Sequence, residues 1–132
     1  MRAQLGILAI GLGLLATAIP ASAHHSFAVE YDSTKPVAFQ GVVTKVEWTN
    51  PHARVYVDVT DASGTVTNWN LELASPSALS RNGWTSKSVK AGDVVKVEGF
   101  SGRDTTTHRA NASSIVMADG RSLFSGAAGE AR

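Results

Sequence analysis

The stretch Arg54-Val55-Tyr56-Val57-Asp58-Val59-Thr60 alternates strictly between apolar and polar residues. A period of two places the three valines on one face of a β-strand and the side chains of Arg54, Tyr56 and Asp58 on the other. The next four residues, Asp61-Ala62-Ser63-Gly64, are typical of a tight turn, and residues 65–73 resume with Trp69, Leu71 and Leu73 in phase. The pattern predicts a β-hairpin with one buried and one exposed face.

Three further strands and one short helix are predicted around this hairpin. Residues 37–48 alternate with a change of phase near residues 41–44, where Gly41 indicates a β-bulge or a sharp bend. Ser75 can cap the start of a helix, Pro76 suits its first position, and Gly83 can end it. A short helix is therefore predicted between Ser75 and Gly83. Residues 94–99 and 110–117 read as the fourth and fifth strands.

The order of these elements favours one architecture. Three strands, a helix and two strands, with a long bent first strand, is the arrangement of the OB fold. An immunoglobulin-like sandwich needs about seven strands, and only five are predicted here, so a sandwich is disfavoured. We therefore predict an all-β protein, a small five-stranded OB-like barrel in residues 37–125 with one short helix between strands 3 and 4. Residues 121–124 fit either an extension of the fifth strand or a segment beneath the barrel, and residues 126–132 are predicted to be a disordered tail.

The N-terminal residues 1–23 have the features of a cleavable export signal. Arg2 is followed by an apolar run over residues 5–19 and by small residues at Ala21 and Ala23. The apolar run is shorter than the ~20 residues that cross a bilayer. We expect a periplasmic or secreted protein that begins at His24 and has no membrane span after cleavage. Residues 24–36 have no clear period and are predicted to form an extended arm.

Composition excludes several classes of function. The chain of 132 residues has no cysteine, which removes disulfides, thiol catalysis and cysteine-based metal sites. Its formal net charge of +1 does not favour nucleic acid or an anionic membrane as a partner. The motifs of phosphate loops, zinc metalloproteases and serine hydrolases are absent from the sequence. A binding protein is therefore favoured over an enzyme.

All four histidines lie outside the predicted strands. His24 and His25 form the expected mature N-terminus, His52 lies between the first two strands, and His108 lies between the last two. In an OB fold these two loops flank the usual ligand face. We therefore expect His52 and His108 to approach each other.

A histidine at a free N-terminus offers an amine and an imidazole that together chelate a metal ion. Nitrogen ligands suit Cu(II), the strongest binder among common divalent first-row metals. A third nitrogen from His25, His52 or His108 would complete the copper site. Copper is therefore the most specific ligand hypothesis. The competing interpretation is that His24 and His25 are tolerated in a polar arm, that His52 caps a turn, and that His108 belongs to a solvated loop.

A second set of candidates lies on the predicted barrel face. Arg54 and Tyr56 point outward from the second strand, and Arg103 and Arg109 lie in the loop before the fifth. Arginines hold anionic groups through paired hydrogen bonds. The alternative function is thus a metal-free OB-fold module that binds a glycan, a small anion or a partner protein. A copper-dependent oxidative enzyme or a hydrolase is the third hypothesis.

Several motifs also carry a resemblance. They are His24-His25-Ser26-Phe27, Glu30-Tyr31-Asp32, the run Gly41-Val42-Val43-Thr44-Lys45-Val46-Glu47-Trp48-Thr49-Asn50-Pro51-His52, Gly83-Trp84, Lys90-Ala91-Gly92-Asp93 and Ala118-Asp119-Gly120-Arg121. With these motifs the chain resembles a family of small exported bacterial proteins known as a domain of unknown function. The resemblance implies export and a small β-barrel domain, and it implies no particular reaction.

Overall fold

The computed structural model of the protein describes residues 27–125. The predicted signal at 1–23, the histidines His24 and His25, and the predicted tail at 126–132 lie outside the described residues. The elements, in chain order, are α1 (Phe27–Glu30), β1 (Tyr31–Glu47), β2 (Arg54–Thr60), β3 (Val66–Glu72), α2 (Pro76–Arg81), β4 (Val94–Gly102), a 3₁₀ turn (Thr105–Thr107), β5 (Arg109–Met117) and β6 (Ser122–Phe124).

The strands form one sheet that closes on itself. Its order is β3-β2-β1-β4-β5-β6, and an additional pairing joins β3 to β5. The β3–β5 pairing is parallel, and every other pairing in the sheet is antiparallel. With α2 between β3 and β4, this is the predicted OB-like barrel, and the prediction of fold class is confirmed. The short β6 follows a turn and extends the sheet beside β5.

The first strand is longer than its sequence pattern indicated. It begins at Tyr31 rather than at residue 37, and α1 precedes it directly. The ring of Phe27 contacts the rings of Tyr31 and Phe100, with centroid distances of 5.6 and 5.9 Å. Residues 27–36 of the predicted arm therefore lie on the barrel. Their aromatic contacts reach across the fold to β4, so no local period in the sequence could reveal them.

The predicted bulge in the first strand is confirmed. The register between β1 and β2 shifts between Val43 and Lys45. This irregularity lets β1 pair with β4 through its first half and with β2 through its second. Gly41 lies where the strand passes from one partner to the other, and a Cβ atom there would overlap the carbonyl oxygen of Asp58.

The apolar core fills the inside of the barrel. Val55, Val57 and Leu71 face inward as the period predicted, and all are at most 1% exposed. The helix α2 closes one end, since its Leu79 is buried in the same core. Its predicted cap is confirmed, because the side chain of Ser75 accepts a hydrogen bond from the backbone of Ala78 at 3.3 Å. Trp84 belongs to the core, and Trp48 and Trp69 pack against its edge.

Close packing of β4 against β5 makes Gly99 a sensitive position. A Cβ atom there would overlap the backbone of Asn111 and Ala112, which cannot move without breaking the ladder. We expect Gly99→Ala to lower the free energy of unfolding by about 3 kcal/mol. Gly64→Ala is the control, since its Cβ meets nothing within 4 Å and only the positive φ of 85° opposes it. Its expected cost is about 1 kcal/mol, and equal costs in urea denaturation would contradict the packing argument.

Candidate functional site

A polar stripe crosses the outside of the barrel on β2, β3 and β5. Arg54 pairs with Glu72 and Tyr56 with Asn70 across the β2–β3 ladder, and Asn70 pairs with Arg109 across the parallel ladder. These side chains face outward because their neighbours in sequence fill the core. Three residues predicted from sequence, Arg54, Tyr56 and Arg109, therefore share one face.

The centre of this stripe is a buried carboxylate. Glu72 is 5% exposed. Its Oε2 accepts hydrogen bonds from the Tyr31 hydroxyl at 2.9 Å and from Arg54 Nη2 at 3.0 Å. Arg54 Nη1 also donates to the side-chain oxygen of Asn70 at 3.1 Å. A buried charge needs such partners, since an unpaired carboxylate in this position would cost several kcal/mol.

The hydroxyl of Tyr31 is protonated in this setting. Burial raises the pKa of Tyr31 well above its ordinary value, and the negative charge of Glu72 is the second cause of this shift. Its ionised form would place two negative charges within hydrogen-bond distance in a desolvated region. Tyr31 therefore acts as a hydrogen-bond donor and holds the Glu72 carboxylate in place.

Arg109 lies beside Glu72 without bonding to it. Its Nη2 is 3.7 Å from Oε2 of Glu72 and 3.7 Å from Oε2 of Glu30, beyond hydrogen-bond distance in both cases. Its Nε is buried without a hydrogen-bond partner within the described part of the chain. The side chain is 35% exposed. Two carboxylates thus hold the guanidinium in place by charge, and its donors make no hydrogen bond within residues 27–125.

This guanidinium lines an open cleft of about 320 Å³ between α1 and the loop after β4. The lining residues are Val29, Glu30, Tyr31, Gly102, Arg103, Asp104, Thr107 and Arg109. The cleft therefore contains two of the predicted ligand residues, Arg103 and Arg109.

The rest of the cleft is held together by hydrogen bonds. The backbone N–H of Arg103 donates to the Glu30 carbonyl at 2.9 Å, and Arg103 Nε donates to the Ala28 carbonyl at 2.6 Å. Asp104 caps the 3₁₀ turn by accepting from the side chain and backbone of Thr106. These two bonds, the side-chain bond first, lower the pKa of Asp104. The Asp104 carboxylate is thus committed to the loop.

Tyr56 lies at the other end of the stripe. Its hydroxyl donates to Glu47 Oε2 at 3.2 Å, and the ammonium group of Lys45 is 5.3 Å from its ring centroid. Tyr56 is not among the residues that line the cleft. Across the two ladders, Asn70 lies between Tyr56 and the cleft residue Arg109.

His52 and His108 do not approach each other, contrary to our expectation. The backbone of Asn70 bonds to the carbonyl of His108, whereas Ala53, which follows His52, bonds to Ala74. Asn70 and Ala74 are separated by four steps of about 3.3 Å along the chain, and the two histidines lie on opposite sides of β3. The loop before β5 therefore meets the chain within β3, whereas the loop before β2 meets it beyond the end of that strand. The ring of His108 packs edge-on against Trp69 at 5.7 Å.

Metal ligands are not grouped in the part of the chain that the structure describes. Across residues 27–125, no three His, Asp or Glu side chains are arranged to hold a metal ion. His24 and His25 lie outside this range. The same residues include no helix that is long and apolar enough to cross a membrane.

Sequence reasoning missed the acidic and aromatic half of the site. The sequence pattern singled out neither Glu72 nor Glu30 as a site residue, and Tyr31 fell within the predicted arm. The outward phase of Glu72 opposite Arg54 was the one local signal of a charge pair. The burial of Glu72 involves Tyr31 of β1 and the pairing with β5, which belong to distant parts of the sequence.

The fold and this face define a small OB-like barrel with a charged cleft at the loop between β4 and β5. The chain belongs to a family of unknown function, DUF6152, whose model matches residues 11–111. No curated protein and no solved structure matches the chain.

The raised pKa of Tyr31 predicts a loss of stability in alkali. Above the ordinary tyrosine pKa of about 10, the unfolded chain ionises Tyr31 and the folded chain does not, so stability falls as the pH rises. Tyr31→Phe removes this dependence, and its stability deficit relative to the wild type should shrink by about 1.4 kcal/mol between neutral pH and pH 11. Thermal unfolding followed by circular dichroism measures it.

Tyr56→Phe is the matched control, because it also removes a hydroxyl that donates to a glutamate, from a half-buried side chain. A deficit for Tyr31→Phe that stayed constant from about pH 8 to about pH 11 would contradict the assigned protonation state.

Proposed function

We propose that this chain is an exported binding protein rather than an enzyme, and that its cleft binds the anionic group of a small ligand. The signal features of residues 1–23 support a periplasmic or secreted location. The observation that carries the ligand class is the Arg109 guanidinium, which lines the cleft while making no hydrogen bond to any described residue.

The site chemistry suits a carboxylate or a phosphate. A guanidinium presents parallel N–H donors that match two oxygens of such a group. Arg109 supplies these donors from a rigid strand, and the terminal nitrogens of Arg103 make no hydrogen bond with described residues. Glu30 and Glu72 are the competing carboxylates, and the 3.7 Å separation of each from Arg109 leaves the stronger, hydrogen-bonded contact to the ligand.

A binding role also fits the state of the buried carboxylate. Glu72 accepts from Tyr31 and Arg54 and is shielded from solvent. A carboxylate that acts as a general base or nucleophile needs contact with its substrate. Glu72 instead positions the arginines of the face.

We expect Arg109→Gln to abolish anion binding at the cleft. Titration of wild-type protein with propionate, phosphate and citrate, followed by ¹⁵N-HSQC spectra, should shift the amides of residues 102–109. Arg81→Gln is the matched control, because it removes the same charge from the exposed end of α2. Unchanged shifts in Arg109→Gln, or equal losses in both variants, would contradict the assignment.

A second candidate function is copper binding at the processed N-terminus. It is favoured by the docking of Phe27 on the barrel, because three Cα steps of 3.8 Å, about 11 Å in total, are the most that can separate Phe27 from His24. The His24 amine and imidazole would form the chelating pair. His25, His52 or His108 would supply a further nitrogen, and the separation of His52 from His108 means that at most one of these two can join the site.

Isothermal titration of Cu(II) tests this second function. Protein that starts at His24, as verified by its mass, should bind one ion tightly, and a version with one added alanine before His24 should lose that site because the chelating amine has moved. His52→Ala and His108→Ala should not both weaken binding. Equal and weak binding by the processed and extended proteins would exclude the N-terminal site.

A further inference from the structure

Asn111 is the most deeply buried polar side chain of the outer face. It is 0% exposed, and neither its Oδ1 nor its Nδ2 has a hydrogen-bond partner among the described residues. A buried primary amide without partners is costly, and folded proteins rarely retain one without a reason. A leucine of similar shape would avoid the cost.

The position of Asn111 connects it to the cleft. Its neighbours Ala110 and Ala112 face the core, so Asn111 points to the outside of β5, on the same side as Arg109. It pairs with Glu72 on β3 and with Phe100 on β4. Two residues along a strand span about 6.6 Å. Arg109 and Asn111, whose guanidinium and amide make no hydrogen bond with described residues, therefore lie one strand repeat apart.

The turn α1 covers this part of the face. Phe27 packs edge-on against Phe100, the cross-strand neighbour of Asn111. Yet α1 is a single turn of four residues, and none of them is fully buried. Besides the ring contacts of Phe27, its polar contacts with described residues outside β1 are the two hydrogen bonds from Arg103 and the long ion pair of Glu30 with Arg109. An isolated turn of this length has little stability of its own.

We infer that Asn111 is a ligand-binding residue, and that the ligand is the C-terminal end of a short peptide, which enters when α1 moves aside. This inference rests on the proposed function, because the terminal carboxylate would bind Arg109. One residue of an extended peptide presents its N–H and C=O on the same side. The Asn111 amide offers the complementary acceptor and donor.

The spacing agrees with this ligand. A peptide that lies along β5 places its carboxylate and the backbone groups of a preceding residue about one strand repeat apart, as Arg109 and Asn111 are. The ring of Phe100, which is partly exposed, lies beside Asn111 and offers an apolar contact for a peptide side chain. Capture of a C-terminal carboxylate together with backbone groups is a known mode of peptide recognition.

The test uses protein that starts at His24 and three probes. Acetyl-Ala-Ala has both the carboxylate and the backbone groups, its C-terminal amide lacks the carboxylate, and propionate has the carboxylate alone. Acetyl-Ala-Ala should bind more tightly than propionate, and its amide should not bind measurably. The L-L and D-D forms of the dipeptide are titrated separately, because protein C-termini and cell-wall peptides share this chemistry and differ in chirality.

Asn111→Leu gives the decisive comparison. It should weaken acetyl-Ala-Ala binding about tenfold and leave propionate binding unchanged, while the Tm rises by several degrees because a buried unpaired amide is gone. Asn70→Leu is the matched control, since the Asn70 side chain accepts a bond from Arg54. There the Tm should fall and dipeptide binding should be retained.

A fall in the Tm of Asn111→Leu, or its failure to fold, would show that the amide has a structural partner and would overturn the inference. The wild-type protein gives an independent readout. The side-chain NH₂ resonances of Asn111 should shift with acetyl-Ala-Ala and not with propionate. If neither probe shifts these resonances, the inference is also overturned. Propionate binding that depends on Arg109 but not on Asn111, with no gain for the dipeptide, would leave the proposed function standing alone.

Discussion

The parallel pairing of β3 with β5 is the constraint on which the rest of this molecule depends. It closes the sheet into a barrel and joins Asn70, Leu71 and Glu72 to Arg109, Ala110 and Asn111. Inside, the pairing sets Leu71 and Ala110 side by side in the core. Outside, it brings residues of two distant segments onto one face. A barrel left open at this edge would separate Glu72 from Arg109, and the cleft would lose the carboxylate beneath it.

Electrostatics on this face follow from unequal burial. Glu72 is almost fully enclosed, so its charge must be neutralised nearby, and Arg54 and Tyr31 do so through hydrogen bonds. Arg109 shares the same field at a longer distance and remains partly exposed. Hydrogen bonds therefore join Tyr31, Arg54 and Glu72, whereas Arg109 at the border of the cleft donates no hydrogen bond to a described residue. Binding sites differ from structural ion pairs in this respect, because a ligand needs groups that folding has not already used.

Local sequence patterns were sufficient for the strands whose faces differ in polarity. The valines of β2 and the phase of Trp69, Leu71 and Leu73 predicted the hairpin, and the cap at Ser75 predicted α2, because these signals depend on neighbours within a few residues. The same reasoning failed for residues 27–36. Their contacts are made with β4, more than sixty residues away, and an irregular polar segment has no period that could report them. The candidate site divides in the same way, since Arg54, Tyr56, Arg103 and Arg109 were predicted and Glu72, Tyr31 and Asn111 were not.

The amino-acid sequence by itself determined the class of fold, the order of the strands and the outward direction of the arginines, because alternation and turn chemistry act over short distances. Only the tertiary structure decided which of those residues meet. Closure of the barrel set His52 and His108 on opposite sides of β3 and buried Glu72 between two arginines. It also enclosed the Asn111 amide with no hydrogen-bond partner among the residues that the structure describes. The physical reason is that burial and charge pairing are properties of segments brought together by the fold, and the residues that create them are far apart along the chain.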